Sequence, residues 1–202
     1  MGLNKEKKSR VITITIEHPP INVLGIELLR DLEQELSACA ADSTTDVVVL
    51  RGAGTRAFSA GVDIRDHTRE KVPEMLEIVH GVIRNLLALP QVTIAAVRGV
   101  CFGGGCELAT SCDFIVASED SSFATPEIDV GCYPPVALAR FSTLIGYHRA
   151  AEMILTGRRY SAREALDLGL ISRVFAEDQF DNGLTSLLEE LLSKSGAVMR
   201  IA

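Results

Sequence analysis

Isoleucine and threonine alternate over residues 12–16, the two-residue period of a half-buried strand, until His18-Pro19-Pro20 ends it. The period then becomes helical. Leu28, Leu29, Leu32 and Leu36 recur over residues 26–40, with Glu27, Arg30, Asp31, Glu33 and Glu35 between them. Val47-Val48-Val49-Leu50 has no polar face, as expected of a strand covered on both sides. A Gly-rich polar loop is expected over residues 52–68. Pro73 opens a second helix with Leu76, Val79, Ile83, Leu86 and Leu87 as its stripe, and Pro90 lies just beyond it. Strands are expected at 92–97 and 113–117, separated by a short apolar helix that follows Gly103-Gly104-Gly105. From about Val136 the chain reads as mainly helical, with a late strand at 171–175 and a terminal helix from near Phe180 that looks unfinished at Ile201-Ala202. No internal sequence repeat is visible. The alternation predicts one α/β domain over residues 1–202, with a core at about 10–135 and a helical extension at about 136–202.

Charge narrows the function classes. Among 202 residues, 20 Lys and Arg face 27 Asp and Glu, a formal charge of −7 that argues against a broad nucleic-acid or anionic-membrane footprint. The longest apolar candidate, residues 92–106, is interrupted by Arg98, so no membrane span of about 18 residues is expected. The five cysteines form no CxxC pair, and their odd number fits a reduced, cytoplasmic interior. Cys101, Cys106 and Cys112 read as small buried thiols, and no metal is expected. His18, His67, His80 and His148 are scattered and read as surface or helix-face residues. Neither GxGxxG, GxxxxGK[ST] nor GxSxG is present.

Two segments look unsuited to pure scaffolding. In Ala57-Phe58-Ser59-Ala60-Gly61-Val62-Asp63, small residues let a ligand approach backbone N–H groups, although an ordinary strand-to-loop turn has the same composition. In Gly99 to Glu107, three glycines before an apolar helix leave helix-terminal N–H groups uncovered. Glu107 falls in that helix's first turn among apolar neighbours, where it is either a helix-dipole partner or an acid–base group. Glu127, twenty residues later, follows a strand that can return the chain to the same edge. Two carboxyls on neighbouring loops fit an acid and base pair.

At these residues the chain resembles the crotonase family, the enoyl-CoA hydratases and isomerases. The matching stretches are HPPINVL at 18–24, AFSAGVDI at 57–64, IAAVRGVCFGGGCELATSCDFIVA at 94–117, FATPEIDVG at 123–131 and AAEMILTGRRYSAREALDLGLISRV at 150–174. The resemblance implies a repeated ββα superhelix with a helical C-terminal part, here apparently truncated. It implies an acyl-CoA thioester as substrate, with coenzyme A part of that substrate and no separate cofactor, and a homotrimer or hexamer if the C-terminal segment is present. It also implies an oxyanion hole from the N–H groups of Ala60 and Gly104, and substrate contacts from Gly61, Val62, Asp63, Ile64 and Gly103. Glu107 and Glu127 would be the catalytic pair that adds water across the double bond. Local physics divides the roles: helix-terminal N–H groups stabilise the Glu107 anion and make it the expected base, whereas Glu127 follows Pro126 in a loop without them and is the expected proton carrier. Arg65 and the basic residues near the amino terminus are candidates for the coenzyme's phosphates. Gly131-Cys132-Tyr133-Pro134-Pro135-Val136-Ala137 looks more like the family's cyclic dienoyl-CoA hydratases, with a straight-chain enoyl-CoA hydratase as the next reading. An isomerase, or an inactive acyl-CoA-binding subunit of the same fold, is the alternative.

Overall fold

The structure, a computed structural model, describes residues 2–201; Met1 and Ala202, the ends of the expected domain, lie outside the described residues. Strand β1 (Gly2–Lys8), where no strand was expected, pairs antiparallel with β2 (Val11–Glu17). Helix α1 (Ile26–Ala41) follows and buries Leu28, Leu29, Leu32 and Leu36, the stripe read from the sequence. Then comes a unit used three times, strand, strand, helix. Its copies are β3 (Val47–Gly52), β4 (Ala57–Ser59) and α2 (Val72–Leu87); β5 (Val92–Val97), β6 (Val100–Phe102) and α3 (Gly104–Ala109); and β7 (Phe114–Ser118), β8 (Ser122–Ala124) and α4 (Pro135–Ile145).

Each unit adds one strand to each of two sheets. The larger runs β1-β2-β3-β5-β7 and the smaller β4-β6-β8, with β3, β5, β7 and β4, β6, β8 parallel within their sheets. This is the ββα superhelix expected. The polar loop expected over 52–68 instead contains β4 and a 3₁₀ turn at Ile64–Asp66. After α5 (Tyr147–Thr156), β9 (Tyr160–Ser161) and β10 (Arg173–Phe175) close the small and large sheets, with α6 (Ala162–Asp167) between them. Both sheets are therefore completed by residues beyond 136. The terminal helix does not run on: α7 (Phe180–Leu192) ends, and a separate turn, α8 (Gly196–Met199), follows.

Strand β3 shows why its sequence has no polar face. Val48 and Leu50 pack with the α1 and α2 stripes, whereas Val47 and Val49 face Phe180, Leu184 and Leu187 of α7. Helix α7 is pinned by Arg98, whose guanidinium sits 4.3 Å from the Phe180 ring centroid and pairs with Asp181 at 3.1 Å. Among the described residues no helix is long and apolar enough to cross a membrane.

Candidate active site

Because β4, β6 and β8 are parallel neighbours, the segments leaving their carboxyl ends emerge side by side. These are Ala60–Asp63, Gly103–Glu107 and Thr125–Glu127, the same three that the sequence singled out. Ligand sites in parallel sheets form outside such strand ends, where backbone groups are free of ladder bonds. Here the three segments line a cleft of about 750 Å³, closed on its apolar side by Val72, Met75, Leu76 and Val79 of α2.

The backbone of the first segment is nearly all engaged. Ala60 N donates to Ile21 O at 2.9 Å, Gly61 N to Ser59 Oγ at 3.1 Å and Asp63 N to Leu24 O at 3.1 Å. Only Val62 N is left without a partner among the described residues. The expected donor Ala60 is thus corrected: its amide is held by its own fold, although the residue lines the cleft.

On the second segment Gly103 N is bonded to Ala124 O at 2.9 Å, and Gly103 adopts φ 53°, ψ −130°, a left-handed conformation that suits glycine. That turn starts α3, so the amide of Gly104 is a free helix-terminal donor. A Cβ on Gly104 would lie 3.4 Å from Val62 N, and one on Gly61 would lie 3.3 Å from Gly104 N. The two free amides therefore flank one small space, open because glycines border it. Such a pair can hold an oxygen that gains negative charge.

Both glutamates line this cleft, in different surroundings. Glu107 is 3% exposed, and its Oε1 accepts hydrogen bonds from Val136 N at 2.8 Å and Ala137 N at 2.9 Å. The sequence placed the stabilising amides at Glu107's own helix; they come instead from the first turn of α4, which Pro134-Pro135 delivers. Burial raises the Glu107 carboxyl above its ordinary range, and these two amides oppose that rise. Glu127 stands in a 3₁₀ turn, Pro126–Val130, half-buried, with an Oε2 that is covered yet has no hydrogen-bond partner. Burial pushes Glu127 up to about 7, with the nearby Glu107 charge adding to the rise.

The 3₁₀ turn after β4 divides its residues by its period of three. Ile64 and His67 line the cleft, whereas Asp63 and Asp66 line a second depression of about 430 Å³. Asp63, expected as a substrate contact, does not line this cleft and caps the 3₁₀ turn. It is buried, accepts from Arg65 N at 2.9 Å and grips the Arg65 guanidinium, which holds its carboxyl well below the usual range. Gly61, Val62, Ile64 and Gly103 do border the cleft. Arg65 is committed to Asp63, and Lys5, Lys7 and Arg10 pair with Glu35, Asp42 and Asp46. His67 is exposed, as expected from the sequence, and also stands at the cleft, as do Asp129, Val130 and Cys132, none of which the sequence singled out for the site. The stripe of α2 was seen as core, yet its Leu76 and Val79 also face the cleft.

Residues 6–202 match the family model described as enoyl-CoA hydratase/isomerase. A probable enoyl-CoA hydratase of Rhizobium meliloti is 39% identical over 98% of this chain and 74% of its own length. A peroxisomal Δ(3,5)-Δ(2,4)-dienoyl-CoA isomerase of Arabidopsis thaliana is 31% identical over 96% of this chain and 76% of its own. In three dimensions, the crystal structure of an enoyl-CoA hydratase from Bacillus anthracis superimposes with a TM-score of 0.94 at 31% identity, covering 98% of this chain and 79% of that one.

Proposed function

The chain belongs to the enoyl-CoA hydratase/isomerase family and is a hydratase-type enzyme, and we propose that it adds water to an α,β-unsaturated acyl-CoA with Glu107 and Glu127 as its acid–base pair. The observation that carries this is the placement of two carboxyls and two unpartnered amides around one cleft. In the proposed step Glu107 takes a proton from water as the water oxygen bonds to the β-carbon. The alkene electron pair moves into the thioester, whose oxygen becomes an enolate held by the amides of Val62 and Gly104. The enolate then returns its electrons to the α-carbon, which takes the proton carried by Glu127. One hydroxyl and one hydrogen are added, and the C=C bond becomes a single bond. A carboxyl pushed up to about 7 carries such a proton near neutral pH.

The acyl group proposed is a compact cyclic dienoyl, supported by Tyr133 and Pro135, which line the cleft on a segment stiffened by the Pro134-Pro135 pair. The isomerase alternative needs one carboxyl to move a proton from one carbon to another, and it is supported by the dienoyl-CoA isomerase relative. Incubation with cyclohexadienoyl, crotonyl and longer enoyl thioesters separates the readings, since only hydration yields a hydroxyacyl-CoA. Binding of every thioester without turnover would assign the chain to acyl-CoA binding alone. A homotrimeric or hexameric, cytoplasmic enzyme is the accompanying proposal, checked by light scattering and cell fractionation.

A further inference from the structure

The segment from His18 to Leu24 lends no side chain to the cleft, yet it makes the bonds that leave Val62 N free. Leu24 and Val62 form a single parallel bridge, in which Leu24 N donates to Gly61 O at 2.9 Å and Asp63 N to Leu24 O at 3.1 Å. In that pattern the bonded groups belong to the neighbours of Val62, so its own N–H and C=O point away from Leu24. Val62 N is thereby turned to the side where a Cβ on Gly104 would lie 3.4 Å from it. Three residues before Leu24, the Ile21 carbonyl takes up Ala60 N at 2.9 Å. The aim of the Val62 amide is therefore set by where residues 21–24 sit.

Asn22 lies between these two contacts. It is 1% exposed, and its φ of 51° is in the left-handed region, which asparagine enters more readily than most residues. Its Nδ2 donates to Ala57 O at 2.7 Å and to Ala53 O at 3.1 Å, while its Oδ1 accepts from His18 N at 3.1 Å. One side chain thus joins the segment to both ends of the loop between β3 and β4. The fit depends on Gly52, where a Cβ would lie 2.7 Å from Asn22 Nδ2. The bonds inside the segment, Asn22 N to His18 O and His18 Nδ1 to Val23 O, both at 2.7 Å, shape the turn without attaching it to the sheet.

We propose that Asn22 is a positioning residue for the reaction, its side chain registering residues 21–24 against β4 so that the amides of Val62 and Gly104 meet on one thioester oxygen. This rests on the assignment of the Val62 amide as an enolate donor made above. Asn22 itself lies outside the cleft, and its effect is geometric: misplacing a donor by about 1 Å costs about 10²-fold in rate.

The test uses Asn22→Gly, which accepts the left-handed backbone and removes all three side-chain bonds, and Asn22→Asp, which keeps the acceptor for His18 N and removes both donors. The readouts are enoyl-CoA hydration kinetics and the infrared stretch of cyclohexanecarbonyl-CoA or butyryl-CoA, isotope-labelled at the thioester carbonyl. These saturated thioesters have no double bond to hydrate, and donors on a carbonyl oxygen weaken the C=O bond and lower its stretch. Turnover is taken per thioester-binding site, counted by calorimetry, so unfolded protein does not enter. In the wild type the bound stretch should fall below its value in water. In either variant it should move back toward that value, with kcat lowered by about 10- to 100-fold and KM changed less than about threefold. Wild-type kcat in both variants, a lowered kcat with the wild-type stretch, or loss of thioester binding in both overturns the proposal, leaving Asn22 at most a residue of the fold. A wild-type enzyme that leaves the stretch at its value in water fails the premise about the amides instead.

Discussion

Glu107 and Glu127 enter the same cleft from consecutive copies of one structural unit, yet their surroundings differ in kind. The first is sealed in and anchored by the Val136 and Ala137 amides; the second sits half-buried with one covered oxygen unanswered and Glu107 nearby. An anchored carboxyl keeps its orientation and accepts a proton from one direction. An unanchored one, pushed toward neutrality, exchanges its proton with what occupies the cleft. The contrast shows how a repeated scaffold makes two chemically unlike acids: the difference lies in what the next helix offers, not in the residue type.

The most severe way to break the contrast is to neutralise each carboxyl. Glu107→Gln replaces an acceptor with a side chain that has no basic oxygen, and hydration should fall by about 10⁴-fold; Glu127→Gln keeps a weak N–H donor and should fall by about 10²- to 10³-fold. Equal losses in steady-state assays would erase the asymmetry. Next in size, Gly104→Ala puts a methyl 2.7 Å from Val62 Cγ2 and close to both free amides, and kcat should drop by about 10²- to 10³-fold. Ordinary turnover in that variant would remove the amides from the mechanism.

Sharpening the contrast needs a gentler change. Val136→Pro deletes one of the Glu107 anchors in a first turn that tolerates proline, and loss of a bond to a charged group worth about 1.5–3 kcal/mol predicts an activity loss of about 10- to 100-fold. The smallest effect is on stability. Glu127 has its carboxyl raised from the ordinary 4.5 to about 7, so the native state binds this proton more tightly than the unfolded one does. Stability is therefore lost as pH rises from 4.5 toward 7, through this group alone. Glu127→Gln removes that slope, so its melting temperature should gain on wild type across the window; a constant difference would show that the carboxyl is not perturbed.

Much of this was legible in one dimension. The Ile12-to-Ile16 alternation, the Leu28-to-Leu36 stripe and the apolar run at Val47 fell where period and burial agree, and each became the element expected. The three-residue strands β4, β6 and β8 were missed because so few residues show no period, although they carry the site. The structural repeat was hidden for the same reason: its copies share a path, not a residue pattern. Ala60 was taken for a donor by position in the resemblance, and no sequence shows which amide a distant carbonyl, here that of Ile21, already holds. Lone histidines have no pattern at all, so the sequence could place His67 at the surface but not at the cleft.

The sequence by itself determined the chemistry available: glycines where backbone must come close, two glutamates on neighbouring turns, and hydrophobic periods that made an α/β fold the way to bury them. Only the tertiary structure decided which amides stay free, which helix anchors Glu107, and that Asp63 caps a turn outside the cleft while Ile64 lines it. The physical reason is that free donors, anchors and charge neighbours are properties of pairs distant in the chain, settled when parallel strands bring their carboxyl ends together.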